Sequence, residues 1–129
     1  MFEALDFIYV PVEDVDDAAK RYEETLGARL LWKVRGMGTV VARLQVSETG
    51  PAILLSGHLE GPRPILIYRV SDYSEAVYAL RAAGVSDLRE VEIPHGPCAS
   101  FRVAGGQRIA VYELVRANAD EFFAGRMDD

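Results

Sequence analysis

Two histidines and one cysteine are all the imidazole and thiol that the 129 residues offer, so a site built on those groups has few donors to draw on. His95 and Cys98 are separated by Gly96-Pro97, a spacing that zinc ligands use. No second pair accompanies them and Pro97 restricts the backbone, so a packed thiol and a loop imidazole are the better account. His95 is kept as a ligand contact on a loop over a cleft. His58 falls in the Gly/Pro-rich run Gly57-His58-Leu59-Glu60-Gly61-Pro62-Arg63-Pro64, where a solvated side chain is expected. Cys98 has no helix N-terminus beside it, and Ser56 and Ser100 have no evident base. Glu92 and Glu113 would act as general bases if buried, but strand carboxylates at a rim normally face solvent. Ala104-Gly105-Gly106 has too few glycines to cradle a phosphate and reads as a hairpin turn.

The elements that must position these groups belong to one compact chain. Half the residues are apolar, enough for a core without staples, and the single cysteine excludes an internal disulfide framework. A formal charge of −6 provides no basic stripe for nucleic acid. No apolar run reaches the length of a membrane span, and Met1-Phe2-Glu3-Ala4-Leu5-Asp6 lacks the signature of a signal peptide, so a cytoplasmic protein without membrane contact is expected.

The chain nearly repeats itself. Phe7-Ile8-Tyr9-Val10 followed by Val12-Glu13-Asp14-Val15-Asp16-Asp17-Ala18-Ala19 returns as Ile65-Leu66-Ile67-Tyr68 followed by Val70-Ser71-Asp72-Tyr73-Ser74-Glu75-Ala76-Val77. In both copies a strand runs into a helix, capped by Asp14 or Asp16 in the first and by Asp72 or Ser74 in the second. Ile8, Val10 and Val12 alternate with Phe7 and Tyr9, so the aliphatic face packs on the helix and the aromatic face turns the other way. Strands are expected over Ala28–Val34, Thr39–Val46 and Pro51–Ser56, then over Arg89–Glu92, Ala99–Val103 and Arg108–Leu114, with Arg35-Gly36-Met37-Gly38 among the turns. Each unit is therefore βαβββ: module one spans about 5–56, a linker 57–64, and module two about 65–114, in a single domain with a helical tail over 115–129. In that tail Asn118 should cap a short helix running to Gly125, whose Phe122 and Phe123 need cover from this subunit or another. That makes it the candidate contact of a homodimer.

The opening of each helix, the Tyr22-x-x-x-Leu26-Gly27 and Arg81-Ala82-Ala83-Gly84-Val85 closes, Pro94-x-Gly96 and Gly106-Gln107-Arg108-Ile109 together resemble the vicinal oxygen chelate superfamily of glyoxalases, extradiol dioxygenases and bleomycin-resistance proteins. The resemblance covers nearly all of Leu5 to Leu114. It implies an α+β fold in which two βαβββ modules form a curved, partly open mixed sheet around a cleft, with a helix outside each module. It also implies a divalent metal in that cleft, on ligands that fall here on Phe7, Leu54, Ile65 and Ala110. All four are apolar and supply no lone pair, and a slip of one residue does not restore a site. A metal relocated to His58 and Glu113 would need a closeness that sequence does not supply.

Strand alternation about those positions gives an inward surface of Phe7, Tyr9, Leu54, Ile65, Ile67, Ala110 and Tyr112, with Arg69, His95 and Arg108 to orient a ligand and Trp32 to stack on it. The expectation is a binding protein without metal or other cofactor that holds a small apolar or aromatic molecule, by analogy with the bleomycin-resistance branch. The alternatives are a glyoxalase-like lyase, isomerase or dioxygenase with a relocated metal site, or a structural dimerisation domain whose cleft is filled.

Overall fold

The computed structural model describes residues 1–36, 38–57 and 62–128. His58, and Met37 within its turn, lie outside these residues. The elements follow in the order β1 (Phe2–Pro11), α1 (Val15–Leu26), β2 (Arg29–Gly36), β3 (Thr39–Gln45), β4 (Ala52–Ser56), β5 (Ile65–Val70), α2 (Tyr73–Ala82), β6 (Arg89–Ile93), β7 (Gly96–Arg102), β8 (Arg108–Glu113) and α3 (Ala119–Phe123).

One eight-stranded sheet runs β2-β3-β4-β1-β5-β8-β7-β6, and its pairing is symmetric about the middle. Within each module the first strand pairs in parallel with the last, β1 with β4 and β5 with β8, and the remaining neighbours are antiparallel. The modules join through antiparallel β1 and β5. The duplicated sequence has become a pseudo-twofold sheet, curled so that one face is concave.

Asp14 caps α1 by accepting from Asp17 N at 2.9 Å, and Asp72 caps α2 by accepting from Glu75 N at 2.9 Å. Gly27 closes α1 at φ 66°, a left-handed conformation that suits a residue without Cβ. Both helices lie on the convex face. Val15 and Ala19 of α1 pack with Val10, Val12, Ala42, Leu44 and Leu55, while Ala76 and Val77 of α2 pack with Val70, Phe101 and Val111. A third core fills part of the concave face and contains Phe7 and Tyr9, as the alternation in β1 requires. Each fully buried aliphatic side chain in these layers contributes about 1.5–3 kcal/mol.

Three local expectations are corrected. β1 starts at Phe2, well before Phe7, because its first half has β5 to pair with. β7 starts at Gly96, not Ala99, because residues 96–98 pair with β6. Asn118 makes no side-chain cap, and α3 is only five residues long. Beyond it the chain runs along the β2 edge: Gly125 N donates to Leu31 O at 3.1 Å, Lys33 N to Arg126 O at 2.8 Å and Asp128 N to Lys33 O at 2.9 Å. One edge of the sheet is thereby covered by the chain's own end.

Candidate functional site

Strand register sets the concave floor. One row crosses the sheet as Arg43, Leu54, Tyr9, Ile65 and Arg108, and the next as Ala52, Phe7, Ile67, Ala110 and Ser100. Neighbours in register point to the same side. The four residues named by the resemblance therefore form one patch, with Leu54 and Ile65 flanking Tyr9 and Phe7 and Ala110 flanking Ile67.

Beside Arg108 the face is open, as a cleft of about 610 Å³ lined by residues of both modules. Its floor is apolar, formed by Tyr9, Ile65, Ile67, Ala110 and Cys98, and Val34 and Val41 border it on the far side. Arginines 35, 89, 108, 116 and 126 line it against only two acids, Glu90 and Glu92, so its charge is opposite in sign to that of the whole chain. Both acids are engaged: Glu90 accepts from Tyr73 Oη at 2.6 Å, and Glu92 pairs with Arg116 at 2.5 Å.

Arg108 differs from the other basic groups. It is 7 % exposed, its Nη2 donates to Ser100 Oγ at 2.8 Å, and no carboxylate among the described residues pairs with it. Burial first, and then repulsion by Arg102 and Arg89 against the opposing Asp87, lowers its pKa from the usual guanidinium range. Arg108 lines the open cleft, so an anion seated there could pair with it by charge-assisted hydrogen bonds. The Tyr9 hydroxyl has no hydrogen-bond partner among the described residues, and burial, reinforced by Cys98, raises its pKa well above the usual phenol range. Burial, with a smaller contribution from Glu92, likewise pushes the Cys98 thiol up to about 12, so both groups stay protonated donors at neutral pH.

Around Arg43 the concave face is closed. Asp120 of α3 points in and gathers three donors: its Oδ1 faces His95 Nε2 at 2.9 Å and accepts from Trp32 Nε1 at 3.3 Å, and its Oδ2 pairs with Arg43 Nη1. Burial raises its carboxyl, but the hydrogen bonds and charges of His95 and Arg43 outweigh that and hold it at about 2. Phe7 is held between the His95 ring, 4.6 Å from its centroid, and the Arg43 guanidinium at 5.5 Å. Phe123 covers Trp32 edge-on at 5.2 Å.

Of the residues expected to meet a ligand, Tyr9, Ile65, Ile67, Arg108 and Ala110 line the cleft. Phe7, Trp32, Leu54, His95 and Tyr112 share the concave face but are buried outside the cleft. Tyr112 Oη donates to Asp6 at 2.5 Å, and Arg69 turns to Glu3 and Asp6. Glu113 caps the other face, accepting from Tyr73 N at 2.8 Å. Arg43 and Asp120 were invisible to alternation and spacing. The signal for them was the pair of inward N–H groups on Trp32 and His95, which had to find an acceptor. In the tail Phe123 is covered within the chain, whereas Phe122 stays 71 % exposed.

Solved structures share this architecture. A methylmalonyl-CoA epimerase from Mycobacterium tuberculosis superposes with a TM-score of 0.75 at 24% identity, covering 92% of this chain and 92% of that one. A methylmalonyl-CoA epimerase in complex with methylmalonyl-CoA and NH4+ gives 0.74 at 13% identity over 90% and 97%. A Bacillus halodurans hypothetical protein gives 0.70 at 21% over 84% and 92%. The chain has the vicinal oxygen chelate fold. No family model matches the sequence, and no curated protein does.

The metal that vicinal oxygen chelate folds imply does not fit these residues. Phe7, Leu54, Ile65 and Ala110 occupy the expected patch with hydrocarbon, and among the described residues no three of His, Cys, Asp or Glu lie close enough to share an ion. No chemistry below is routed through one. The expectation of a passive holder of apolar molecules is overturned on two counts. Its cleft contains a buried arginine with no carboxylate paired to it among the described residues, and the structures it resembles include methylmalonyl-CoA epimerases, one of them in complex with methylmalonyl-CoA. The filled-cleft alternative fails on the open volume. No helix among the described residues is long and apolar enough to cross a membrane.

Proposed function

We propose that the cleft is the active site of an isomerase-class enzyme acting on a small acyl ester that carries an anionic group. The carrying observation is Arg108: a buried guanidinium on the cleft, with no carboxylate paired to it among the described residues, is suited to receive an anion from outside. A methylmalonyl thioester, the ligand of one structural neighbour, has the matching parts. Its carboxylate would sit on Arg108 and Ser100, its branched acyl carbon over Ala110 and Ile67, and its thioester carbonyl toward Tyr9 Oη.

In this reading the reaction is removal of the proton between the two carbonyl groups and return of a proton from the opposite side. Both acids of the cleft have partners, and Glu92 is the candidate base because its partner, Arg116, itself lines the cleft. An anion that attracts Arg116 would loosen its hold on Glu92. As the proton passes to Glu92, the C–H electron pair moves onto the carbonyl oxygen. A neutral phenol held in an apolar site is suited to donate to that oxygen as its charge grows. The carbon is planar at that stage, so a proton supplied to its other face by solvent in the open cleft inverts it while Glu92 gives its proton up to solvent; the carbonyl re-forms, and atoms and electrons balance.

The test is deuterium wash-in at the α-carbon of methylmalonyl-CoA in heavy water. Exchange by the native chain is expected, with a loss of about 10²-fold or more in Glu92→Gln and in Tyr9→Phe. No exchange with methylmalonyl-CoA or related anionic acyl thioesters would refute the reading.

A further inference from the structure

The segment after β8 is held at three places and carries part of the cleft wall. At its start Val115 N and Arg116 N both donate to His95 O at 3.0 Å, and the Arg116 guanidinium reaches Pro94 O and Ile93 O at 2.7 Å each. At its end the backbone ladder with β2 is reinforced by Arg35 N donating to Asp128 Oδ2 at 2.9 Å. Between them Asp120 is tied to Arg43, His95 and Trp32. A five-residue helix does not hold itself in water, so the place of α3 is set by these ties. What they hold against the cleft is Phe123, with the Arg126 guanidinium 5.3 Å from its ring centroid.

We propose that Phe123 is the end wall that limits the length of ligand the cleft accepts, and that Asp120 is the residue that positions it. The inference rests on the reading that an anionic group sits at Arg108. Arg108 is on β8, whereas Phe123 packs over Trp32 of β2. An anion anchored at Arg108 must extend its body over Ile65 and Tyr9 toward Val34 and Val41, and it meets Phe123 there. The wall is apolar, so it discriminates by size: each methylene that fits strengthens binding until one collides with the ring. Asp120 touches no ligand in this arrangement and acts only through the placement of Phe123.

The test uses the full chain with 8-anilinonaphthalene-1-sulfonate, a fluorescent aromatic anion, displaced by straight-chain carboxylates from butanoate to tetradecanoate. The native chain should bind more tightly with each added carbon up to a limit and then lose affinity. Phe123→Ala should move the limit to longer chains by about two carbons or more, and Phe123→Trp should move it to shorter ones. Asp120→Ala should shift it in the same direction as Phe123→Ala, with Asp120→Asn between that variant and the native chain. Arg108→Met should weaken every carboxylate by a similar factor and leave the limit in place. The same limit in the native chain and both Phe123 variants would overturn the wall. A native chain that binds no carboxylate of any length would instead overturn the anion reading, and the wall with it.

Discussion

Two arginines, Arg43 half-buried and Arg108 buried, end the same row of residues across the concave sheet, and their surroundings differ. Arg43, on the module-one side, meets a carboxylate that the chain itself brings back from Asp120, and the space around it is filled by Phe7, Trp32, His95 and Phe123. Arg108, on the module-two side, meets only a serine hydroxyl, and the space beside it stays open. Two copies of one supersecondary unit have thus diverged in what satisfies the inward charge. Where the fold provides the counter-ion the region is packed; where it does not, the region is the proposed site.

That contrast can be broken most severely at Gly96, which lets the His95 loop approach the end of β8. A Cβ there would lie 2.0 Å from Glu113 O, a backbone atom that cannot move aside. Gly96→Ala should therefore destabilise the chain by about 3 kcal/mol or more, read from its urea midpoint. Arg43→Met tests the paired arginine. It leaves Asp120 without its guanidinium, and because the Asp120 side chain is still 41 % exposed the loss should be about 1–3 kcal/mol, below the full cost of breaking a buried pair.

A smaller effect comes from pH. The folded Asp120 carboxyl, at about 2, lies below the usual unfolded value of about 3.9, so its ties add stability above that value. That increment is lost as pH falls from about 4 toward 2. The stability gap between the native chain and Asp120→Asn, followed by urea unfolding across that range, should shrink as acid is added. A constant gap would remove the charge from the account of the closed half.

The fold was legible because its causes are local. The twice-written strand-to-helix passage, Asp14 and Asp72 as caps, and the alternation of Phe7 and Tyr9 with Ile8 and Val10 each act within a few residues. The site was legible as a face but not as a cavity. Alternation puts Tyr9, Ile65, Ile67 and Ala110 on the same side as Phe7, Leu54 and Tyr112, but it does not say which of them a distant segment will cover. Arg69 was misplaced because β1 begins early enough to bring Glu3 and Asp6 alongside it. Asp120 was missed because its partners come from β2, β3 and the turn before β7, and only the folded tail brings them together.

The most direct measurement is the gain in unfolding free energy that saturating methylmalonyl-CoA gives to the native chain and to Arg108→Met. The account predicts a native gain of about 2.7 kcal/mol at a hundred times the dissociation constant, little or no gain in the variant, and equal or higher stability of the variant without ligand. Equal gains in both proteins, or a variant that is already much less stable alone, would show that Arg108 serves the fold and not a ligand.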